Sequence, residues 1–251
     1  MIRLGLIGAG KWGKNYIDAV KEVGAEVKSV YGHDTTKNIP HWHLFLQEVC
    51  RYNGVIIATP PKPRCEIICE LARCCIPMMV EKPLCLSLAD AALICAALDP
   101  KVPFLVDYQH LFSPKYLSIR ETLAGITPKV FCKARGPEVR SYSQLWDYGP
   151  HFLAMAMGLG AKLEDVELDF AVADEKMFEM RVEFPMGFST EKLFYVGRTQ
   201  RPLIHAVKAF VKAVEDGRTD DWRFGVEMSV EITRELERRS SVEKTVAIQN
   251  A

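Results

Sequence analysis

The sequence has 251 residues, of which 49% are hydrophobic and 25% are charged, and its 32 basic and 32 acidic side chains give a formal net charge of zero. These values are typical of a soluble globular protein with one large domain or two modest ones. The even charge balance argues against nucleic acid as a partner, because proteins that bind nucleic acid usually carry a basic excess.

No apolar run approaches the roughly 18 residues that a membrane-spanning helix requires. The apolar run at the start of the chain is too short for a signal peptide, and lysines follow it. We therefore expect a cytoplasmic protein that does not bind membranes.

The first elements in chain order are a strand, a glycine-rich turn, a helix and a second strand. An apolar run predicts the first strand over 2–7, helical spacing predicts the helix over 12–22, and alternation predicts the second strand over 26–31. The turn has the spacing GxGxxG, and its position between a strand and a helix is the context in which this motif binds a dinucleotide. The alternative interpretation is a tight turn without a ligand.

The glycines of this turn have separate roles in such a site. Gly8 permits the tight turn, Gly10 lets a pyrophosphate approach the backbone, and Gly13 lets the helix pack closely on the strand. The phosphates would lie at the positive N-terminal end of the helix, which carries Lys11 and Trp12. We predict that all five residues contact the cofactor.

The end of the second strand decides between NAD and NADP in many dinucleotide sites. A carboxylate there binds the ribose hydroxyls and favours NAD, whereas a small or basic residue suits NADP. If the strand ends at Tyr31, the diagnostic position is Gly32, which has no side chain to bind ribose. Asp34 could still reach the ribose and His33 could face a phosphate, so the sequence leaves NAD or NADP open. Asp34 is included among the predicted cofactor-binding residues.

Strands and helices continue to alternate as far as residue 107. The strands are predicted over 54–59, 78–80 and 103–107, and the helices over 43–51, 64–75 and 87–98. Such alternation predicts an α/β fold with a doubly wound parallel sheet covered on both faces.

The eight cysteines contain no CxxC pair, which is the commonest spacing in zinc sites. Cys65 and Cys69 lie one helical turn apart in the predicted helix over 64–75 and indicate a buried helix face. We interpret the cysteines as reduced core thiols and predict no metal site.

The pattern changes near residue 112, which gives predicted domains over 1–112 and 113–251. Helices are expected over 114–124 and 146–157, with a strand over 129–135 between them. Three strand-like runs and two amphipathic helices complete the chain, over 166–172, 177–184, 188–196, 203–215 and 225–239.

Three further motifs follow the glycine turn in a recognisable order. They are Ala58-Thr59-Pro60-Pro61, Val80-Glu81-Lys82-Pro83-Leu84, and the D-x-G-x-H stretch Asp147-Tyr148-Gly149-Pro150-His151. Together they resemble the glucose–fructose oxidoreductase, inositol dehydrogenase and rhizopine-catabolism (Gfo/Idh/MocA) family from residue 1 to about residue 157, and loosely again near Arg201-Pro202-Leu203-Ile204.

The resemblance implies an N-terminal Rossmann domain and a smaller α/β domain with an open, mostly antiparallel sheet. It implies oxidation or reduction of a hydroxyl or carbonyl group of a sugar, polyol or nucleotide sugar with NAD or NADP. It adds Thr59, Pro60, Glu81 and Lys82 to the cofactor site and makes a cis Lys82–Pro83 bond more probable than its base rate. A homo-oligomer, dimer or tetramer, is also implied, because the second sheet often forms the dimer interface.

Alcohol oxidation requires a base near neutrality, a cation beside the developing alkoxide and a group that holds the reactants. His151 has a suitable ordinary pKa, and Asp147 precedes it by one helical turn. We assign His151 as acid/base, Lys82 as alkoxide stabiliser and Asp147 as orienter, with Pro150 in the first turn of the helix. Structural roles are the alternative: a surface turn for Lys82, an N-cap for Asp147 and a satisfied histidine at a helix start.

Three departures from the family pattern affect this assignment. Arg64 stands where the family often has a histidine, the segment between Asp34 and Gly54 has room for one helix only, and only about three strands fit after His151. Tyr108 and His110 are expected on the substrate side.

Two rival functions remain. The chain could be a non-catalytic nucleotide-binding relative that acts as a sensor or partner protein, or an enzyme of the same fold with another reaction, such as a cofactor-assisted lyase. Retention of Lys82, Asp147 and His151 favours an enzyme, because a binding protein has no chemical need for them.

Overall fold

A computed structural model describes residues 1–32, 42–137, 143–183, 191–194, 201–218 and 220–249. The first half forms a five-stranded parallel sheet with the order β2-β1-β3-β4-β5. Its strands are β1 (Arg3–Ile7), β2 (Glu26–Tyr31), β3 (Gly54–Ile57), β4 (Met78–Glu81) and β5 (Phe104–Asp107). Every residue of β3, β4 and β5 is buried, which explains why these segments are continuously apolar or nearly so.

Helices connect consecutive strands of this sheet, as the doubly wound prediction requires. They are α1 (Lys11–Glu22), α2 (Trp42–Glu48), α3 (Arg64–Ala72) and α4 (Leu88–Ala97). Short 3-10 turns follow α2 at Val49–Arg51 and β5 at Gln109–Phe112. The Ser87 hydroxyl accepts a hydrogen bond from the Asp90 amide at 3.1 Å and so caps α4.

The second sheet has four strands in the order β7-β6-β8-β9. They are β6 (Lys129–Gly136), β7 (Val166–Val172), β8 (Met177–Glu183) and β9 (Glu191–Phe194). The β6–β7 pair is parallel and the other two pairs are antiparallel, which confirms the expected smaller, mostly antiparallel sheet. One face packs on α6 (Gln144–Gly158), where the Phe152 ring stacks on Phe178 at 4.0 Å between centroids.

The remaining helices are α5 (Pro114–Thr122), α7 (Pro202–Asp216) and α8 (Glu227–Gln249). Helix α7 packs on α1, and α8 packs on both α4 and α6. The Phe210 ring of α7 approaches Gly54 so closely that a methyl group at Gly54 would lie 3.1 Å from it. The last part of the chain therefore covers the first sheet, and the division at residue 112 stays a prediction.

Most helices differ from their predicted limits by one to three residues, and the differences in α6 and α8 have structural consequences. Helix α6 begins at Gln144 instead of Trp146, since the Ser143 carbonyl already accepts from the Trp146 and Asp147 amides. Pro150 consequently lies inside the helix and not in its first turn, so that prediction was wrong. Helix α8 continues ten residues beyond its predicted end at 239.

The cysteines are free, and their burial differs from the predicted core positions. Cys85 and Cys132 are buried, but Cys65 and Cys69 are only half-buried and face α4, where Cys65 lies 3.8 Å from the Asp90 carbonyl. Within the described ranges, no cluster of three His, Cys, Asp or Glu side chains is placed to hold a metal ion. Among the described helices, none has both the length and the apolar character needed to cross a bilayer.

Candidate functional site

The candidate site lies where the strand order of the first sheet reverses. The chain leaves β1 towards β2 on one side, while β3 pairs with β1 on the other. In open α/β sheets, ligands bind in the crevice beyond the carboxyl ends of the strands at such a switch point. Here this crevice is bounded by the glycine turn after β1 and the loop 58–61 after β3.

The glycine turn uses its three glycines for different purposes. Gly8 has a φ of +102°, and a methyl group there would lie 2.7 Å from the Ala58 carbonyl carbon. A methyl group on Gly13 would overlap the Gly8 carbonyl oxygen. A methyl group on Gly10 would have no neighbour within 4 Å. Fold packing therefore requires Gly8 and Gly13, whereas Gly10 faces open space at the N-terminus of α1.

A cleft of about 250 Å³ opens in front of this turn. Seven of the ten predicted cofactor-binding residues line this cleft: Gly10, Lys11, Trp12, Thr59, Pro60, Glu81 and Lys82. The Trp12 side chain is 40% exposed. The buried Thr59 hydroxyl has no hydrogen-bond partner in the described chain, so a polar group in the cleft remains unsatisfied.

Arg64, at the start of α3, joins the loop that contains Thr59, after β3, to the loop that contains Lys82, after β4. The side chain is only 3% exposed, and its guanidinium donates to the carbonyls of Thr59, Glu81 and Pro83. The Nε–Thr59 O distance is 2.9 Å. The planar guanidinium can serve several acceptors at once, so Arg64 holds the Thr59 loop and the Lys82 loop in one arrangement. In the sequence, Arg64 is notable only because the family often has a histidine at this position.

We expect Arg64→Met to destabilise the protein by about 3 kcal/mol or more, because three carbonyls would lose a buried donor at about 1–3 kcal/mol each. Chemical denaturation measures this change. Arg64→Lys should recover only part of the loss, since an ammonium lacks the fork of donors. Arg73→Met, at the exposed end of the same helix, is the matched control. Equal stability of the Arg64→Met and Arg73→Met variants would contradict this role.

Lys82 and Asp147 come from opposite halves of the chain and form an ion pair at the cleft. Lys82 follows β4, and its Nζ lies 2.6 Å from Asp147 Oδ1 and 2.7 Å from the Asp147 main-chain oxygen. The side chains are 7% and 22% exposed. The Lys82–Pro83 bond is cis, as the resemblance predicted. The pair stands at the junction of the Lys82 loop with α6.

His151 lies one turn after Asp147 on α6 and is 6% exposed. In the described chain no hydrogen bond joins it to Asp147, and its Nδ1 has no partner. Burial lowers its pKa well below the ordinary value, and positive charge on His110 or Lys82 lowers it further. Asp147 thus contacts Lys82 and not His151, and His151 is a neutral imidazole at neutral pH.

His110 and Tyr108 follow β5, and the structure separates their roles. The His110 ring meets the His151 ring edge to face, with 4.6 Å between centroids. Burial and the Lys82 charge lower the pKa of His110 to about 3. The Tyr108 hydroxyl instead donates to Ser229 Oγ at 2.9 Å, inside the core against α8. His110 therefore lies against His151, whereas Tyr108 points into the core and the expectation for it was wrong.

A buried acidic cluster lies behind Lys82. Glu81 and Asp107 are neighbours on β4 and β5, with 4% and 0% exposure, and the Tyr16 hydroxyl donates to Asp107 Oδ2 at 2.5 Å. Burial and the Glu81 carboxylate raise the pKa of Asp107 well above its usual range. Burial also raises the pKa of Glu81, against the Lys82 and Arg64 charges. No sequence motif indicated Asp107 or Tyr16.

The adenosine side of the site is only partly described. A methyl group on Gly32 would lie 3.0 Å from the Ala9 amide nitrogen, so the glycine turn itself occupies the space beside this position. The prediction for Asp34 falls outside the described residues.

A larger groove of about 680 Å³ lies between β7, the start of α6 and α8, and contains none of the predicted site residues. Its two arginines, Arg238 and Arg239, both pair with Glu235. We place the candidate site at the smaller cleft, because the unpaired Thr59 hydroxyl and the Lys82–Asp147 pair are there.

Comparison with known proteins identifies the fold. No family model matches the sequence, and no curated protein sequence matches it significantly. Among solved structures, GenD2 from gentamicin A biosynthesis, in complex with NAD, is 16% identical, has a TM-score of 0.81, and aligns over 97% of this chain and 95% of that chain. UDP-N-acetylglucosamine 3-dehydrogenase GnnA from Acidithiobacillus ferrooxidans is 15% identical, with a TM-score of 0.76 over 94% and 96%.

Apo scyllo-inositol dehydrogenase from Lactobacillus casei is 11% identical, with a TM-score of 0.76 over 94% of each chain. At these identities the likeness concerns the fold. The chain has the two-sheet fold of inositol and nucleotide-sugar dehydrogenases, as the sequence motifs predicted, over nearly its whole length.

Proposed function

We propose that this chain is an NAD(P)-dependent oxidoreductase of the Gfo/Idh/MocA family, which transfers a hydride between nicotinamide and a hydroxyl or carbonyl group of a sugar, polyol or nucleotide sugar. The Lys82–Asp147 ion pair is the observation that carries this proposal. It joins the nucleotide half of the chain to α6, beside the neutral His151 and at the edge of the glycine-turn cleft.

The residues around the cleft fit a dinucleotide. The open space at Gly10 lets a phosphate approach the N-terminus of α1, whose first amides have no side-chain cap. The Thr59 hydroxyl would gain the partner that it lacks in the described chain. Lys11 and Trp12 border the same space.

A bound nicotinamide dinucleotide would supply the hydride acceptor or donor. Lys82 would stabilise negative charge on the substrate oxygen, because a cation in a partly buried site is effective against a developing alkoxide. Asp147 would hold the Lys82 ammonium in place through its two contacts. His151 would accept the hydroxyl proton during oxidation and return it during reduction.

We expect purified protein to enhance the fluorescence of NADH, NADPH or both on titration, with dissociation constants below millimolar. A panel of sugars, polyols and nucleotide sugars, followed by nicotinamide absorbance, then tests turnover. Binding without turnover across the panel would favour the sensor alternative. Absence of binding of either nucleotide at millimolar concentration would refute the proposal.

Two expectations stay predictions: that the chain forms a homo-oligomer, and that it is located in the cytoplasm. The face of the second sheet opposite α6 carries charges that pair within the chain. Arg135 bonds to Asp169, and Arg181 lies over the Phe131 ring and pairs with Glu183. Light scattering of the purified protein measures the assembly.

A further inference from the structure

Oxidation of an alcohol releases a proton as well as a hydride, and the proton has to leave the site. If the hydride goes to nicotinamide and the hydroxyl proton goes to His151, the products are a carbonyl compound, reduced nicotinamide and protonated His151. His151 is 6% exposed, so it has little direct access to water. A second carrier is needed between His151 and solvent.

The groups that face His151 come from four elements. Lys82, in the loop after β4, is near enough for its charge to lower the pKa of His151, and Asp147 lies one turn earlier on the same helix. Phe178 contributes a ring from β8, and His110 follows β5. Lys82 is a cation and has no lone pair to take a proton. Asp147 uses Oδ1 and its main-chain oxygen on Lys82 and has no hydrogen bond to His151 in the described chain.

His110 has the chemistry and the position of a carrier. Its ring packs against that of His151 with 4.6 Å between centroids, and as a whole residue it is half-buried where His151 is buried, although its Nδ1 is itself buried. A neutral imidazole bears a proton on one nitrogen and a lone pair on the other, so it can accept at one and release at the other. The low pKa of His110 keeps it in this neutral form at neutral pH.

We propose that His110 carries the substrate proton between His151 and solvent, as a second imidazole acting in series with the first. The proposal rests on the oxidoreductase function, because only that reaction delivers a proton to His151. His110 is a positioning and relay residue and need not touch the substrate.

The path is tested without nucleotide or substrate. In protein with isotope-labelled histidine, NMR measures exchange of the His151 ring proton with water. His110→Gln, which is polar but does not titrate, and His110→Phe, which fills the space, should each slow this exchange by about a hundredfold, the lower end of the effect of removing an acid–base group. Phe178→Leu is the control, since Phe178 packs against both rings without carrying protons.

Exchange at the wild-type rate in folded His110→Gln protein would overturn the proposal, whatever the nucleotide titration gives. Equal slowing in Phe178→Leu would also overturn it, because the effect would then come from packing. With a substrate from the panel, His110→Gln should lower kcat and enlarge the solvent isotope effect while KM for the nucleotide is unchanged. Failure of nucleotide binding with slowed exchange would refute the oxidoreductase and leave the proton path in place.

Discussion

Lys82→Met is expected to reduce turnover by at least about a hundredfold, which is typical for loss of one charge-stabilising group from an active site. Methionine has similar length but no charge, so the substrate oxygen would lose its cation and Asp147 would lose both of its contacts. The affinity for NADH should change little, because the glycine turn and the Thr59 loop do not depend on the Lys82 charge. Initial rates with the substrate from the panel and fluorescence titration measure the two quantities.

The same substitution at Lys62 is the matched control, since that lysine is exposed on the loop that follows β3. Lys62→Met should behave as wild type in both assays. If the turnover of Lys82→Met fell by less than about threefold relative to the control, the loss would be far smaller than a charge-stabilising group causes. Lys82 would then have no part in the mechanism.

Gly13→Ala and Gly10→Ala should separate the fold from the ligand. The Gly13 methyl group would overlap the backbone oxygen of Gly8, which cannot move without opening the turn. We expect Gly13→Ala to lower the unfolding free energy by about 3 kcal/mol, the upper range for overpacked sites, and to abolish nucleotide binding. Gly10 has a φ of −69° and open space around it, so Gly10→Ala should be as stable as wild type within about 0.5 kcal/mol.

The Gly10 methyl group would instead meet the phosphates. Overlap of this kind costs about 1–3 kcal/mol, so nucleotide affinity should fall about tenfold or more. Thermal unfolding and NADH titration of both variants measure the contrast. Gly10→Ala with unchanged affinity would show that the phosphates do not lie at the turn.

Most of the fold could be predicted from sequence, because the strands of a covered parallel sheet are short apolar runs. The predicted segment 54–59 contains the observed β3 and ends two residues after it, and the segment 103–107 contains β5 and begins one residue before it. The limits failed where tertiary contacts replaced local signals. Ser240 weakens a helical pattern, but in α8 its hydroxyl accepts from the Trp146 indole at 3.1 Å, and the helix continues.

The residues of the candidate site could be predicted only where they lie within a recognisable sequence motif. The glycine turn and the separate Lys82 and Asp147 motifs each have a local signature, but the contact of Asp147 with Lys82 cannot be read from either motif alone. The role of Arg64 and the Tyr16–Asp107 contact have no local signature, because each depends on residues that meet only after folding. His110 was expected on the substrate side, but its contact with His151 was not. Burial of a charged arginine or a carboxylate cannot be read from its neighbours in sequence.

The contact between Phe210 and Gly54 has a consequence for synthesis of the chain. Phe210 is completely buried, and α7 packs on α1, the helix that follows the glycine turn. During translation, the strands of the first sheet leave the ribosome before α7 does. The surface around Gly54 therefore stays uncovered until α7 has been made. A premature stop after His151 would therefore leave α1 and Gly54 without their cover and disturb the glycine turn, even though every residue of that turn had been made.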